Sequence, residues 1–240
     1  MRKIVICKLR NLHSRSGVSI RAIMRRFFAI LTQYDSVSIW DYNRNRKVKN
    51  IHIGCGKNIL KNWLNLDYYP RTLRAIHFNA TSAFPFISDS IDNIFSEHMI
   101  EHVSFQQGEF MLGECYRVLK IGGKMRISTP DFLFLVKLYS DSTSLLHKKY
   151  VDWSVDTYLP LGTPKKPINV VNNFVRDWGH SFIYDESALT ELLIKSGFKN
   201  IERVQVGRSV HREFNDLENV GRMPDGFIDL ESVVLEAQKT

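Results

Sequence analysis

Short apolar segments alternate with amphipathic ones from residue 48 to the end of the chain, and this alternation limits the fold more than any other feature. Helical patterns cover 105–120 and 186–195. Strand patterns cover 48–53, 63–67, 75–80, 91–96, 125–129, 201–206 and 232–237. Strands that alternate with helices predict a parallel sheet wound on both faces. We therefore predict an α/β fold with a doubly wound, mostly parallel sheet of seven strands.

The chain is predicted to divide near residue 47. Residues 1–47 form a basic extension with an amphipathic helix at 18–34, followed by a polar linker at 41–47. Residues 48–240 form one domain, in which Gly122 and Gly123 end the helix at 105–120. Residues 132–180 contain three prolines and many aromatic residues. We interpret this segment as an insertion that covers the open end of the sheet.

The positive charge of the chain lies almost entirely in the N-terminal extension. Residues 1–50 contain twelve Lys or Arg and two Asp, a net charge of +10, whereas residues 51–240 have a net charge of −2. The rest of the chain is therefore nearly neutral, which disfavours nucleic acid as its partner. Three widely spaced cysteines indicate reduced thiols, and the chain has no apolar run long enough for a membrane span. We expect a cytoplasmic protein.

A glycine turn follows the first predicted strand, and an acid ends the second. Gly54 and Gly56 allow a positive φ and let backbone N–H groups approach a ligand closely. Asp67 can accept hydrogen bonds from two ribose hydroxyls. Only 13 residues separate Gly54 from Asp67, and Asn58 stands where a dinucleotide fingerprint has its third glycine. The pattern predicts a nucleoside pocket and disfavours NAD.

Several motifs in the order of the chain resemble the class I S-adenosylmethionine-dependent methyltransferases, which have a Rossmann-like fold. The chain is similar to small bacterial members associated with surface-polysaccharide synthesis. Two positions depart from the family pattern, since His52 and Asn79 stand where acids are usual. The matching segments are His52–Gly56 (HIGCG), Trp63–Asp67 (WLNLD), Ser96–His102 (SEHMIEH), Tyr116–Gly123 (YRVLKIGG) and Ile127–Asp131 (ISTPD).

The resemblance implies S-adenosylmethionine as cofactor and a set of residues that contact it. The glycine turn would line the amino-acid and ribose parts, and Asp67 would hold the ribose. Asn79 and Ala80 would meet the adenine, with the Asn79 carbonyl oxygen accepting from its amino group. Ser96 and Glu97 would lie beside the sulfonium. The implied cofactor residues are Gly54, Cys55, Gly56, Asp67, Asn79, Ala80, Ser96 and Glu97.

Three residues are candidates for handling the acceptor. His98 follows the strand end nearest the methyl group and is our choice of general base, with packing of the next helix as the alternative. His180 and Asp131 would face or orient an acceptor hydroxyl, or else stabilise loops. His98 and His102 with Glu101 have metal-ligand spacing, but no further ligand is evident, so we expect no metal.

We predict methyl transfer to a small molecule or glycan, with a sugar hydroxyl as the preferred acceptor. The alternatives are a nucleic-acid methyltransferase and an inactive cofactor-binding or assembly protein. Helix 18–34 either packs its apolar side on the domain or on a second subunit of a homodimer, with its arginines in water, or lies on the inner face of an anionic membrane. Four aromatic residues of the insertion either stack on the acceptor or seal the cover: Trp153, Tyr158, Phe174 and Trp178.

Overall fold

A computed structural model describes residues 20–141 and 144–240. Residues 18 and 19 of the predicted N-terminal helix, and the segment before them, lie outside the described residues. The elements are α1 (Ile20–Thr32), α2 (Tyr34–Asn45), β1 (Asn50–Ile53), β2 (Leu64–Asp67), β3 (Ala75–His77), β4 (Ile91–Glu97), α3 (Phe105–Val118), β5 (Leu119–Pro130), α4 (Phe132–Ser140), α5 (Leu145–Tyr158), α6 (Pro167–Arg176), α7 (Glu186–Lys195), β6 (Lys199–Arg203), α8 (Phe227–Glu231) and β7 (Ser232–Gln238).

The predicted seven-stranded sheet is confirmed, with the order β3-β2-β1-β4-β5-β7-β6. Pairs β1–β2, β1–β4, β2–β3 and β4–β5 are parallel, whereas β7 is antiparallel to both β5 and β6. The strand order reverses between β1 and β4. In such sheets the crevice at the carboxyl ends of the strands beside this reversal is where ligands bind.

Two local predictions from the sequence were wrong. Residues 41–45 belong to α2 and are not a linker, because Tyr42 is buried in the main core and donates its hydroxyl to the Asn50 carbonyl. Gly122 and Gly123 do not end α3, which stops at Val118 and continues directly into β5. They lie at an irregularity in the β4–β5 pairing, where Gly122 has a φ of 81°.

The two faces of the sheet are covered differently. Side chains of α2, α3 and α7 pack with one face in a single apolar core that includes Ile51, Ile94 and Leu112. On the other face, Phe95 packs against Phe214 and Leu217. The described residues thus cover this second face with an irregular segment, 204–222, where the prediction had helices on both faces.

Arg126 fixes that segment to the sheet. Its side chain is fully buried and forms ion pairs of 2.6 Å with both Glu218 and Glu236. It also donates to the backbone carbonyls of Gln205 and Arg208, so each of its three guanidinium nitrogens forms at least one hydrogen bond. A buried charge with partners of this kind resists removal, because losing one partner leaves the other uncompensated.

The N-terminal helix α1 presents its apolar side to solvent, so of the three predicted alternatives packing on the domain is wrong, and a second subunit and a membrane surface stay predictions. Instead Ala22, Arg25 and Ala29 face the domain, and Arg25 binds the Asp35 carboxylate and the Ala75 carbonyl. The small alanines allow close approach, and the buried ion pair fixes which side faces inward. Exposed fractions reach 69% at Leu31, and the other exposed apolar residues are Ile23, Met24, Phe27, Phe28 and Ile30.

The cover segment 132–180 contains α4, α5 and α6, which share a small apolar core of their own with Phe227 of α8. Phe174 is buried in this core, and Trp153 and Trp178 pack at its edge. The predicted N-cap of α7 is confirmed, since Asp185 accepts from the Ala188 N–H. None of the helices within the described ranges has both the length and the hydropathy that crossing a membrane requires.

His52 makes stability depend on pH. Its ring is buried between Asn65 and Phe95, and burial lowers its pKa to about 4 from 6.5. Neutral His52 therefore contributes stability that is present above pH 6.5 and is lost as the pH falls towards 4. Between pH 7.5 and 4.5 the wild type should lose about 2.5 kcal/mol more free energy of unfolding than His52→Gln.

Urea unfolding at several pH values measures this difference. His211→Gln, a substitution of a half-buried histidine elsewhere, is the control and should follow the wild type. Equal pH dependence of wild type and His52→Gln would contradict the assignment.

Candidate active site

A cavity of about 740 Å³ opens at the carboxyl ends of β1 and β2, where the strand order predicts a ligand. Its volume is in the range of small-molecule sites. One end is formed by the glycine turn and the end of β2, and the other by the segment after β4 and by Trp178 of the cover. Its lining includes Gly54, Gly56, Asp67, Asn79, Ala80, His98, Met99, His102 and Trp178.

The glycine turn forms the floor of the cavity, and both glycines are needed there. Gly54 has a φ of 75°, and a Cβ at this position would lie 2.4 Å from Cγ of Met99. Gly56 has a φ of 53°, and a Cβ there would meet no atom within 4 Å, so it would occupy open cavity space. The turn therefore leaves room for a ligand against the backbone.

Asp67 ends β2 with its carboxylate fixed by backbone donors. One oxygen accepts from the Gly56 N–H at 2.8 Å and the other from the Tyr69 N–H at 2.7 Å. A carboxylate oxygen has a second lone pair, so both oxygens can still accept from a ligand. The contact with Gly56 also connects the acid directly to the glycine turn.

Asn79 and Ala80 line the cavity beside Phe78, but the oxygen and the nitrogen of the Asn79 side chain already form hydrogen bonds within the protein. Its oxygen accepts from both the N–H and the hydroxyl of Thr81, and its amide donates to Ser82. An adenine amino group would have to replace one of these bonds. The residue shapes the turn after β3 in the described structure.

Three of the predicted cofactor residues lie outside the cavity lining. Cys55 is buried, and burial raises the pKa of its thiol to about 12, which keeps it uncharged and unreactive. Ser96 is fully buried, and within the described chain its hydroxyl has no hydrogen-bond partner. Glu97 points to the second face, where it accepts from the Asn58 amide and the Asn219 N–H. Burial raises the Glu97 pKa.

His98 lies in the cavity wall in a left-handed conformation, with a φ of 46°. Its Nε2 is 2.9 Å from the Ser232 hydroxyl, and its Nδ1 is 3.4 Å from Glu101 Oε1. Burial, with a smaller contribution from Arg222, lowers the His98 pKa well below its ordinary value. The ring is therefore neutral at pH 7.

The structure separates the other two acceptor candidates from the cavity lining. Asp131 is buried as the N-cap of α4, accepts from the Leu133 N–H and pairs with Arg203, which is a structural role. His180 lies beside His102, with ring centroids 5.0 Å apart, and its Nδ1 is 2.7 Å from the Phe174 carbonyl oxygen. Burial, with a smaller effect of His102, lowers its pKa to about 4.

Tyr68, Tyr69 and Met99 line the cavity and escaped the sequence reasoning, whereas His102 was considered only for a metal and Trp178 was one of the two-way aromatic predictions. Tyr68 and Tyr69 follow Asp67 directly, so their position after a strand end was an available signal. Met99 and His102 lie within the SEHMIEH motif, but only the fold shows which of its residues face the cavity. Trp178 is brought there from the cover by two consecutive left-handed residues, Trp178 and Gly179.

Comparison with known sequences gives one match that covers part of the chain. Residues 51–127, from β1 into β5, match the sequence profile described as a methyltransferase domain. A search of curated proteins finds no match. The chain contains a methyltransferase domain. S-adenosylmethionine is the cofactor that this match leads us to expect.

Solved structures with a similar fold include methyltransferases of low sequence identity. A SAM-dependent methyltransferase from Archaeoglobus fulgidus is 15% identical over 95% of this chain and 98% of that one, with a TM-score of 0.48. One from Thermotoga maritima is 16% identical over 90% and 95%, with a TM-score of 0.47. Phosphoethanolamine N-methyltransferase 2 from Haemonchus contortus, in complex with S-adenosyl-L-methionine, is 15% identical over 87% and 52%, with a TM-score of 0.43.

The cavity of this methyltransferase domain has the features that S-adenosylmethionine requires. The open space over Gly56 admits a nucleoside against the backbone, and Asp67 offers oriented acceptors for a ribose diol. Phe78 and Ala80 supply apolar contacts at the adenine end. Gly54, Gly56 and Asp67 are the residues that would hold the cofactor.

Asp67→Asn should weaken S-adenosylmethionine binding by about 10- to 100-fold, because it removes a charge that accepts from the ribose hydroxyls. Isothermal titration calorimetry with the purified chain measures the dissociation constant. Asp225→Asn, at an exposed position away from the cavity, is the matched control and should bind as the wild type does. Equal affinities for Asp67→Asn and wild type would place the ribose elsewhere.

Proposed function

We propose that this enzyme methylates a hydroxyl group of a small molecule or glycan, with a sugar hydroxyl as the preferred acceptor. The observation that carries the proposal is that one cavity is lined both by Gly54, Gly56 and Asp67 and by His98, His102 and Trp178, the part of the lining that we call the acceptor end. S-adenosylmethionine, when bound, supplies an activated methyl group. The chain must then hold an acceptor behind that group and remove its proton.

The acceptor end combines an aromatic ring with polar side chains, which suits a sugar. Trp178 lines the cavity, and Tyr158 and Phe174 pack against it with ring centroids 4.9 and 5.2 Å away. These contacts fix the ring so that one surface is offered to the cavity. Gln107 lies in the same lining and can both donate and accept hydrogen bonds.

His98 is the proposed general base. It is neutral at pH 7 and faces the cavity, and the Ser232 hydroxyl and Glu101 fix its ring from two sides. The acceptor oxygen would displace the methyl group from its sulfur, and the proton of the acceptor hydroxyl would pass to Nε2 of His98. This nitrogen would exchange its contact with the Ser232 hydroxyl for one with the acceptor.

His98→Asn tests this role with a residue that tolerates the left-handed backbone. We expect kcat to fall by about 100-fold or more, with the dissociation constant for S-adenosylmethionine unchanged. Transfer of a radiolabelled methyl group to a panel of sugar nucleotides, lipid-linked glycans and RNA measures both activity and acceptor class. Methylation of RNA alone, or a kcat for His98→Asn equal to that of wild type, would contradict the proposal.

We also propose that α1 attaches the enzyme to an anionic membrane surface, which suits an acceptor carried on a lipid. The exposed apolar side of α1 is one continuous surface, and α1 contains no acidic residue. The first 50 residues have a net charge of +10, which complements anionic lipid headgroups. Polysaccharide synthesis is the setting that this attachment and the family resemblance favour.

The double variant Phe27→Glu/Leu31→Glu should abolish sedimentation with vesicles containing phosphatidylglycerol, because it places charges on the apolar side of α1. Ile121→Glu/Val210→Glu makes the same change at exposed apolar positions elsewhere and should bind as the wild type does. Absence of vesicle binding by the wild type would overturn this proposal. So would a dimer that the α1 variant converts to a monomer, since a second copy would then cover the helix.

A further inference from the structure

Three metal-ligating side chains meet behind the acceptor end of the cavity. Glu101, His102 and His180 each offer one ligand atom, and these atoms all lie within 4.8 Å of one another. Glu101 and His102 belong to the short 3₁₀ turn after β4, whereas His180 comes from the cover. The sequence alone did not show that His180 meets Glu101 and His102, because His180 lies 78 positions after His102.

Glu101 is the least exposed of the three, and its Oε1 lies between two histidine rings, 3.4 Å from His98 Nδ1 and 4.0 Å from His102 Nε2. Its side chain is fully buried, and its Oε2 accepts from the Thr129 hydroxyl at 3.0 Å. Among the described residues, its Oε1 has no hydrogen-bond partner. A buried acceptor of this kind is costly unless it meets a donor or a cation.

The two histidine rings are held by the backbone of the cover. His180 Nδ1 is 2.7 Å from the Phe174 carbonyl oxygen, so this nitrogen carries the proton and Nε2 is free to bind a metal. The His102 ring lies against the backbone of Trp178 and Gly179. Such outer contacts fix the tautomer and orientation of metal-binding histidines.

We propose that Glu101, His102 and His180 bind a divalent transition-metal ion such as Zn²⁺ or Fe²⁺ at the acceptor end of the cavity. Two imidazoles and one carboxylate suit such ions and leave coordination positions open. Ligand atoms on one tetrahedral Zn²⁺ lie about 3.3 Å apart, so the His102–Glu101 pair would close by about 0.7 Å.

The open positions give the ion a use in the proposed reaction. His102 lines the cavity, so an acceptor hydroxyl can reach an ion bound to it. A bound cation withdraws charge from that oxygen and makes its proton easier to remove. This use of the ion rests on the proposed function, whereas metal binding itself does not.

The test uses the full chain after treatment with EDTA and dialysis. Calorimetric titration with Zn²⁺ should give one site, and Co²⁺ should give visible d–d absorption. His180→Gln and His102→Gln should each weaken Zn²⁺ binding by about 100-fold or more and abolish the absorption, because each removes a direct ligand, where even outer contacts are worth 10- to 100-fold. His211→Gln, outside the cluster, should bind as the wild type does.

Circular dichroism and the unfolding temperature without metal establish that each variant folds. A wild type that gives no Co²⁺ absorption, or that binds Zn²⁺ no more tightly than folded His180→Gln, would overturn the inference. S-adenosylmethionine binding and methyl transfer are measured on the same preparations. A wild type that transfers methyl groups without binding metal would contradict only the metal site. A wild type that binds metal but methylates none of the acceptors would contradict only the proposed function.

Discussion

The buried guanidinium of Arg126 is the interaction on which the second face of the sheet depends. It lies in a row of residues paired across the strands, Asn65, His52, Phe95, Arg126 and Glu236, and reaches from that row to Glu218. Because Glu218 follows Leu217 directly, the same contact holds Leu217 against Phe95. The segment then continues to Asn219, whose N–H binds Glu97 at the end of β4. One charged group thus keeps this segment in place without an α-helix.

This arrangement determines which residues line the cavity and which are kept out of it. Segment 204–222 covers the second face up to the end of β4, so Glu97 is enclosed there with Asn58, which also donates to the Leu217 carbonyl. The ligand space is left on the other side of the glycine turn, between β2 and the residues that follow β4. Met99 packs directly against Gly54, so the glycine turn and the SEHMIEH motif are in contact at this cavity.

The sequence was sufficient for the seven strands and for the placement of Gly54, Gly56 and Asp67 at one crevice, because apolar periodicity and turn residues act locally. It was insufficient where a distant contact decides the outcome. Which side of α1 faces inward depends on Arg25 finding Asp35 and the Ala75 carbonyl. Where Ser96 and Glu97 point depends on the alternation along β4 and on segment 204–222. That His180 meets Glu101 depends on the path of the cover.

The chain reversal at Trp178 and Gly179 has a consequence for how the cover can change. Immediately after it, the N–H groups of Ser181 and Phe182 both bind the Glu101 carbonyl, which fastens this stretch to the 3₁₀ turn after β4. The wall residue and the fastening point therefore lie within five consecutive positions. Segments further back, between α4 and α6, can therefore change in length only where Tyr158 and Phe174 keep their contacts with Trp178.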